Sequence, residues 1–192
     1  MISWWTLIIT GSISRYTWRV VPSCLVTEEV KRNYLEINSL QDLHEGTEPT
    51  EDYSLNFLDP INFQLNKFFY KNIGQNHKWV DRLPWTESQW IDYVSNDKVQ
   101  TYILKYKDDL VGFFELIFHF EKKEAEIAYF GILEEFRNKK LGSYLLSQAI
   151  KKSFSQNIDR VWVHTCSLDH KNALNNYIAR GMKIFKTEII KI

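Results

Sequence analysis

The chain has 192 residues with 24 basic and 24 acidic side chains, so no broad electrostatic field draws it to nucleic acid or to a membrane surface. Hydrophobic residues at 44% and charged residues at 25% are the proportions of a globular domain that builds its own core. The two cysteines, Cys24 and Cys166, lack metal-ligand spacing and are too few for a disulfide framework, which points to a reducing, cytoplasmic setting.

The opening apolar stretch, Ile2 to Thr10, is too short to span a bilayer. It also lacks the positive start and small-residue cleavage site of an export signal. Residues 1–28 are expected to be an extension of uncertain role, and residues 29–192 one domain. Val30 to Ile37 reads as a first strand, and the polar segment Asn38 to Pro60 as a loop or linker. Ile61, Leu65, Phe68, Phe69 and Ile73 recur at helical spacing up to the stop at Gly74. Thr86 with Gln89 then forms a capping-box pattern that opens a second helix through Trp90, Ile91 and Val94. "VQTYILKY", "DLVGFFELIFHF" and "AEIAYFGIL" are β-branched and aromatic runs separated by turn residues, the pattern of an antiparallel meander. A helix with Leu141, Leu145, Leu146, Ala149 and Ile150 on one face follows, then strand "RVWVHTC", a helix over 171–180 and a last strand, "MKIFKTEII". This order predicts an α/β (α+β) fold with a mixed sheet and helices on its faces.

The corner between the third meander strand and its helix reads Arg137-Asn-Lys-Lys-Leu-Gly-Ser. A helix N-terminus leaves N–H groups unpaired and carries partial positive charge. Glycine lets a ligand approach the backbone, and Arg137, Lys139 and Lys140 add cations, so the corner suits an anion with more than one negative charge, such as a pyrophosphate. A solvated basic helix start accounts for the same residues without a ligand. The Walker spacing is absent, and a single glycine makes no dinucleotide fingerprint.

"FRNKKLGSYLL" resembles the acetyl-coenzyme A loop of the GNAT N-acetyltransferase superfamily. Arg137 matches its first position and Gly142 its last, and Lys140 stands where the first glycine is usual. "NALNNYIARGM" resembles the family's Ala-x-x-x-Tyr-x-x-x-Gly-Phe helix, with Met182 in place of the phenylalanine. The resemblance spans about Asn62 to Ile190, and "WVDRLPW", "GFFEL", "AYFGIL" and "VWVHTCSLDH" look like an uncharacterised bacterial branch.

This resemblance implies a GNAT-like, mostly antiparallel sheet with a splayed central strand pair. It implies transfer of acetyl from acetyl-coenzyme A to a primary amine of a small molecule or peptide by direct attack, without a metal. The pantetheine would lie along Phe130, Gly131 and Ile132, and the pyrophosphate on Arg137, Asn138, Lys139, Lys140, Leu141, Gly142 and Ser143. His170 and Ala173 complete the implied cofactor contacts. Glycine at 131 fits either a close ligand approach or relief of crowding.

The amine must lose a proton before it attacks. Glu126, at the family's basic carboxylate, is the first candidate base, and strand alternation puts it on one face with Ala128 and Phe130. Glu115, an acid inside an apolar strand, is the second. Tyr177 is the implied general acid toward the departing thiolate. Trp79, Arg82, Trp85 and His164 are the expected acceptor-side residues, with Arg82 poised for a carboxylate and the tryptophans as either wall or core anchors.

Other readings have less behind them. His164 and Cys166 share a strand face but lack an evident orienting group. His164, Asp169 and His170 match no strong metal template. No Gly-x-Ser-x-Gly elbow appears, and no nucleic-acid or membrane partner is implied. The competing class is a non-catalytic acyl-coenzyme A binding or sensing domain. Either a monomer or a homodimer is compatible with the sequence.

Overall fold

The computed structural model describes residues 28–50 and 52–191; the opening extension, with Cys24, lies outside them. The elements in chain order are strand β1 (Glu29–Ile37), β2 (Tyr53–Phe57), helix α1 (Phe63–Gly74), α2 (Glu87–Val94), β3 (Val99–Tyr106), β4 (Asp109–His119), β5 (Glu124–Ile132), α3 (Leu141–Phe154), β6 (Arg160–Cys166), α4 (Ala173–Ala179) and β7 (Lys183–Lys191). The strands form one seven-stranded sheet in the order β2-β3-β4-β5-β6-β1-β7. Every neighbouring pair is antiparallel except β5 with β6. The mixed, mostly antiparallel sheet expected from the sequence is therefore present.

One expected loop is not wholly a loop. Within Asn38 to Pro60 the chain makes a short 3-10 turn at Leu40–Asp42 and adds β2 to the edge of β3. Tyr53 and Leu55 of β2 pack against the main core, while its other residues stay polar or exposed. A strand so short and half-polar carries little periodic signal.

The main core lies between the sheet and α3. Leu141, Leu145, Leu146, Ala149 and Ile150 of α3 are all buried there against Leu116, Phe118, Ala125, Ile127, Val161 and Val163. Tyr177 of α4 joins the same cluster. The opposite face is covered by α1, whose Phe69 and Ile73 pack on Ile103, Phe113 and Leu133. Phe69 and Phe113 stack with centroids 4.9 Å apart. The Thr86 capping box forms as the sequence indicates, with Thr86 Oγ1 accepting from Gln89 N–H and Gln89 Oε1 accepting from Thr86 N–H.

Two irregularities shape the functional region. In the β4–β5 ladder Glu115 faces Tyr129 and Leu116 faces Ile127, so Ala128 has no counterpart and forms a bulge. This corrects the simple alternation expected for Glu126, Ala128 and Phe130. Ala125 and Ile127 before the bulge, and Phe130 and Ile132 after it, all pack in the α3-side core. Glu126, Tyr129 and Gly131 therefore share the other face, the one covered by α1. The second irregularity is a short pairing: β5 and β6 run together only from Glu124/Arg160 to Glu126/Trp162.

The segment after β1 is held on α3. Gly46 N–H donates to Ser147 Oγ at 2.8 Å, and Lys151 pairs with Glu45. A Cβ on Gly46 would lie 2.4 Å from the Ser143 carbonyl carbon and 2.6 Å from Tyr144 N, both immobile backbone atoms. Gly46→Ala should therefore lower stability by about 1–3 kcal/mol, the usual penalty of overpacking, as read from the midpoint of urea unfolding; an unchanged midpoint would refute this account of the contact.

Candidate active site

Beyond Glu126 and Trp162 the two central strands separate. β5 continues beside β4 and β6 beside β1, so the facing edges of 127–132 and 163–166 have no strand between them. Their backbone donors and acceptors open onto a cavity of about 810 Å³. It runs from the 137–143 corner on the α3 side to Trp79, Asp81 and Tyr129 on the α1 side.

The corner owes its shape to two left-handed residues. Asn138 has φ 64° and Lys140, the residue immediately before α3, has φ 60°. Glycine takes this conformation at no steric cost, and a lysine there costs a little backbone energy. No side chain caps the first turn of α3. At Gly142 an added Cβ would come within 4 Å of Asn176 Nδ2 alone, at 3.8 Å, so space rather than internal packing surrounds it. Asn176 of α4 donates from Nδ2 to the Gly142 carbonyl at 3.1 Å and accepts from Ser143 Oγ at 3.2 Å. These bonds tie the start of α3 to α4. Sequence reasoning passed over Asn176, whose signal was its place one residue before Tyr177 in the helix motif.

The residues expected to hold the cofactor mostly line the cavity: Phe130, Gly131, Ile132, Arg137, Asn138, Lys140, Leu141, Gly142, Ser143, His170 and Ala173. Lys139 does not; its ammonium lies 4.9 Å from the centre of the Phe136 ring. Gly131 answers the crowding explanation, because a Cβ there would sit 2.5 Å from Ile73 Cγ2 of α1.

Tyr177 also lines the cavity, with its ring centroid 6.3 Å from that of Phe130. Burial, assisted by the nearby Asp169 charge, pushes its phenol well above the ordinary tyrosine range. Asp169 itself accepts from Thr165 Oγ1 at 2.7 Å and Cys166 N–H at 2.8 Å, closing the end of β6. His164 reaches the cavity from β6, edge-on to Tyr34. His77 and His170 meet edge to face with ring centroids 6.2 Å apart.

The two candidate bases part company. Glu115 is 0% exposed and does not reach the cavity. Its Oε2 accepts from Arg82 Nη1 at 2.8 Å and Tyr93 O–H at 2.9 Å, and its Oε1 accepts from Asn66 Nδ2 at 2.7 Å. A carboxylate so occupied has no route to an acceptor amine, which corrects its expected catalytic part. Glu126 stands on the α1-side face, partly exposed, with His119 Nε2 4.0 Å from its Oε2. It lies outside the cavity lining. Burial raises its carboxyl above the ordinary range, against the pull of Arg82.

Arg82 is corrected for the same reason as Glu115. Only 5% exposed, it turns into the protein, not toward an acceptor. Its guanidinium carbon lies 3.9 Å from the Tyr93 ring centre, 4.2 Å from Tyr129 and 4.8 Å from Trp85. Burial opposes its charge, but Glu115, Tyr93 and Tyr129 together outweigh this and hold its pKa above the ordinary value. Trp85 belongs to this cluster, stacking edge-on with Trp90 and Tyr93, and is no part of the cavity wall. Trp79, by contrast, lines the cavity against Tyr129.

Sequence reasoning also missed Asp81. It is exposed in the cavity wall and accepts from Tyr70 O–H at 2.8 Å and Tyr129 O–H at 2.7 Å. Nothing in the pattern "KWVDRLPW" distinguishes its outward carboxylate from the inward Arg82. Among the described residues no group of three or more His, Cys, Asp or Glu side chains is arranged to hold a metal ion. No described helix is long and apolar enough to cross a membrane.

A strand pair that opens over a helix N-terminus, with a tyrosine from the following helix beside it, is the splayed pair that the sequence resemblance implied, and sequence comparison names the family. A family model described as "Acetyltransferase (GNAT) family" matches residues 62–182, and the chain belongs to that family. Members use acetyl-coenzyme A as co-substrate. Among curated proteins none matches the sequence. Of solved structures, a GCN5-related N-acetyltransferase from Sphaerobacter thermophilus is similar with a TM-score of 0.66 at 14% identity, over 86% of this chain and 52% of that one. Another GCN5-related N-acetyltransferase, from Kribbella flavida, has a TM-score of 0.58 at 14% identity, over 83% of this chain and 56% of that one. The chain thus spans about half the length of either. An aminoglycoside acetyltransferase from an uncultured soil metagenomic sample is similar at a TM-score of 0.55 and 11% identity, over 67% of this chain and 86% of that one. At these identities the likeness is one of fold.

The Arg82–Glu115 pair yields a prediction. Glu115→Gln preserves shape but leaves Arg82 buried without a countercharge, and removing one partner of a buried pair costs about 3–5 kcal/mol. Equilibrium unfolding in urea should show that loss; a change under about 1 kcal/mol would mean the pair is solvated in a way this burial does not allow.

Proposed function

We propose that the domain, residues 29–192, is an N-acetyltransferase that moves acetyl from acetyl-coenzyme A to a primary amine by direct attack. The observation that carries this reading is the continuous cavity between the separated strands, with the corner at one end, the aromatic wall at the other and Tyr177 between them. One structure of similar fold is named an aminoglycoside acetyltransferase, which agrees with an amino-bearing acceptor.

In this reading the open edge of Phe130 to Ile132 takes the pantetheine amides as an added strand would be taken. The unpaired N–H groups at the start of α3, with Arg137 and Lys140, receive the pyrophosphate. The co-substrate supplies an acetyl thioester. As the amine nitrogen bonds to the acetyl carbon, the carbon–sulfur bond breaks and the sulfur takes its electron pair. The amine proton passes to Glu126 through water, since that carboxylate stands outside the cavity lining. Burial raises Glu126 and so makes it a better proton acceptor than an ordinary carboxylate. Tyr177 keeps its proton across the neutral range and donates it to the leaving sulfur.

The direct test follows thiol release from acetyl-coenzyme A with and without an amine panel. Amine-dependent release supports the enzyme; tight binding with no release across the panel would mean a sensing domain instead. Tyr177→Phe should lower kcat by about 100- to 10,000-fold, the usual contribution of one acid–base group, with little change in acetyl-coenzyme A affinity by calorimetry. An unaltered kcat removes the tyrosine from that role. Gly142→Glu should abolish acetyl-coenzyme A binding by setting a carboxylate against phosphate, and the open space around Gly142 should leave its thermal midpoint near that of the parent. Retained affinity would assign the pyrophosphate elsewhere.

A further inference from the structure

Resting on the amine-acceptor reading, we infer that Asp81 is a specificity-determining residue that clasps a second, non-reacting ammonium group of the acceptor, so that the preferred substrates are diamines or larger polycationic amines.

Asp81 is an exposed carboxylate in the cavity wall on the α1 side, away from the corner. Tyr70 and Tyr129 hold its two oxygens from 2.8 and 2.7 Å, which fixes the carboxylate while leaving lone pairs on both oxygens. The same two rings meet Trp79, with centroids 5.8 Å from Tyr70 and 4.8 Å from Tyr129. A carboxylate beside a cluster of aromatic rings is the chemistry that receives an alkylammonium.

Among the described residues Asp81 has no cationic partner within ion-pair distance. Its sequence neighbour Arg82 points the other way, into Glu115. Lys78, also on the cavity wall, pairs with Glu28, and Arg32 leans on Glu188 at 3.9 Å. The other acidic side chain of the wall, Asp169, is taken by Thr165 and Cys166. Both phenols around Asp81 keep their protons, Tyr70 with a pKa pushed to about 12, mostly by burial.

The charge must belong to a nitrogen other than the attacking one. A carboxylate stabilises the ammonium form of whatever nitrogen it touches. At the reacting nitrogen that would hold back the lone pair; at a second nitrogen it only anchors the molecule.

The test compares 1,4-diaminobutane with butylamine on the full chain, by kcat/KM and by calorimetric binding in the presence of coenzyme A. The parent should favour the diamine by about tenfold or more, the worth of one charge-assisted contact. Asp81→Asn should bring that ratio near one, chiefly through KM, while Asp81→Glu keeps part of the preference because it keeps the charge. A parent that shows no preference, or an Asp81→Asn protein that retains it, overturns the inference. If Asp81→Glu and Asp81→Asn lose the preference equally, the residue serves structure and the clasp is likewise refuted. Should neither amine be acetylated, and no other amine of the panel release thiol, the enzyme reading fails. The binding ratio then decides the clasp separately, because it needs no turnover.

Discussion

The parallel contact between β5 and β6 ends after Glu126 and Trp162, and the rest of the molecule is arranged around that ending. Backbone N–H and C=O groups are obligatory hydrogen-bonding groups, so two separated strand edges must find partners in water, in a ligand or in other chain. Here they face a cavity, and neither α3 nor α1 fills it. The bulge at Ala128 lies just past the last paired residues and turns Tyr129 to the α1 side while Phe130 turns to the α3 side. One strand thereby supplies both walls of the cleft.

The wall on the α1 side is held by charge as well as by packing. Arg82 and Glu115 form a buried pair that also draws in Asn66 of α1 and Tyr93 of α2. Four segments distant in sequence thus meet at one carboxylate. Two ions can be withdrawn from water only when their bonds are nearly complete, and the aromatic rings around Arg82 exclude competing solvent. With Arg82 anchored inward, its neighbour Asp81 is left facing the cleft between two phenols. Arg82 of the interior ion pair and the exposed Asp81 are consecutive residues of one loop, and the first sets the position of the second.

On the α3 side the anchoring is lighter. Asn176 bridges Gly142 and Ser143, and the left-handed turns at Asn138 and Lys140 bend the chain into α3. This lets the helix start face the cavity without a side-chain cap. Lysine at 140, where the related motif usually has glycine, adopts the left-handed conformation all the same. Its cost is modest because the left-handed residues of the corner, Asn138 and Lys140, are isolated ones and not a left-handed helical run.

Much of this was legible in the chain alone. Helical spacing in α1 and α3, the Thr86 cap and the three meander strands are local patterns set by side chains a few residues apart, so they survive without tertiary context. The corner and the Ala173–Gly181 motif were legible for the same reason, and with them the family. What the sequence could not decide was direction. A one-residue bulge reverses every side chain after it, which misplaced Glu126 relative to Phe130. Glu115 and Arg82 each look functional as lone charges in apolar surroundings; only the fold shows that they neutralise one another across residues far apart in sequence. Asp81, invisible as a pattern, became a candidate because tertiary structure pointed its neighbour inward and left its own charge in the cleft.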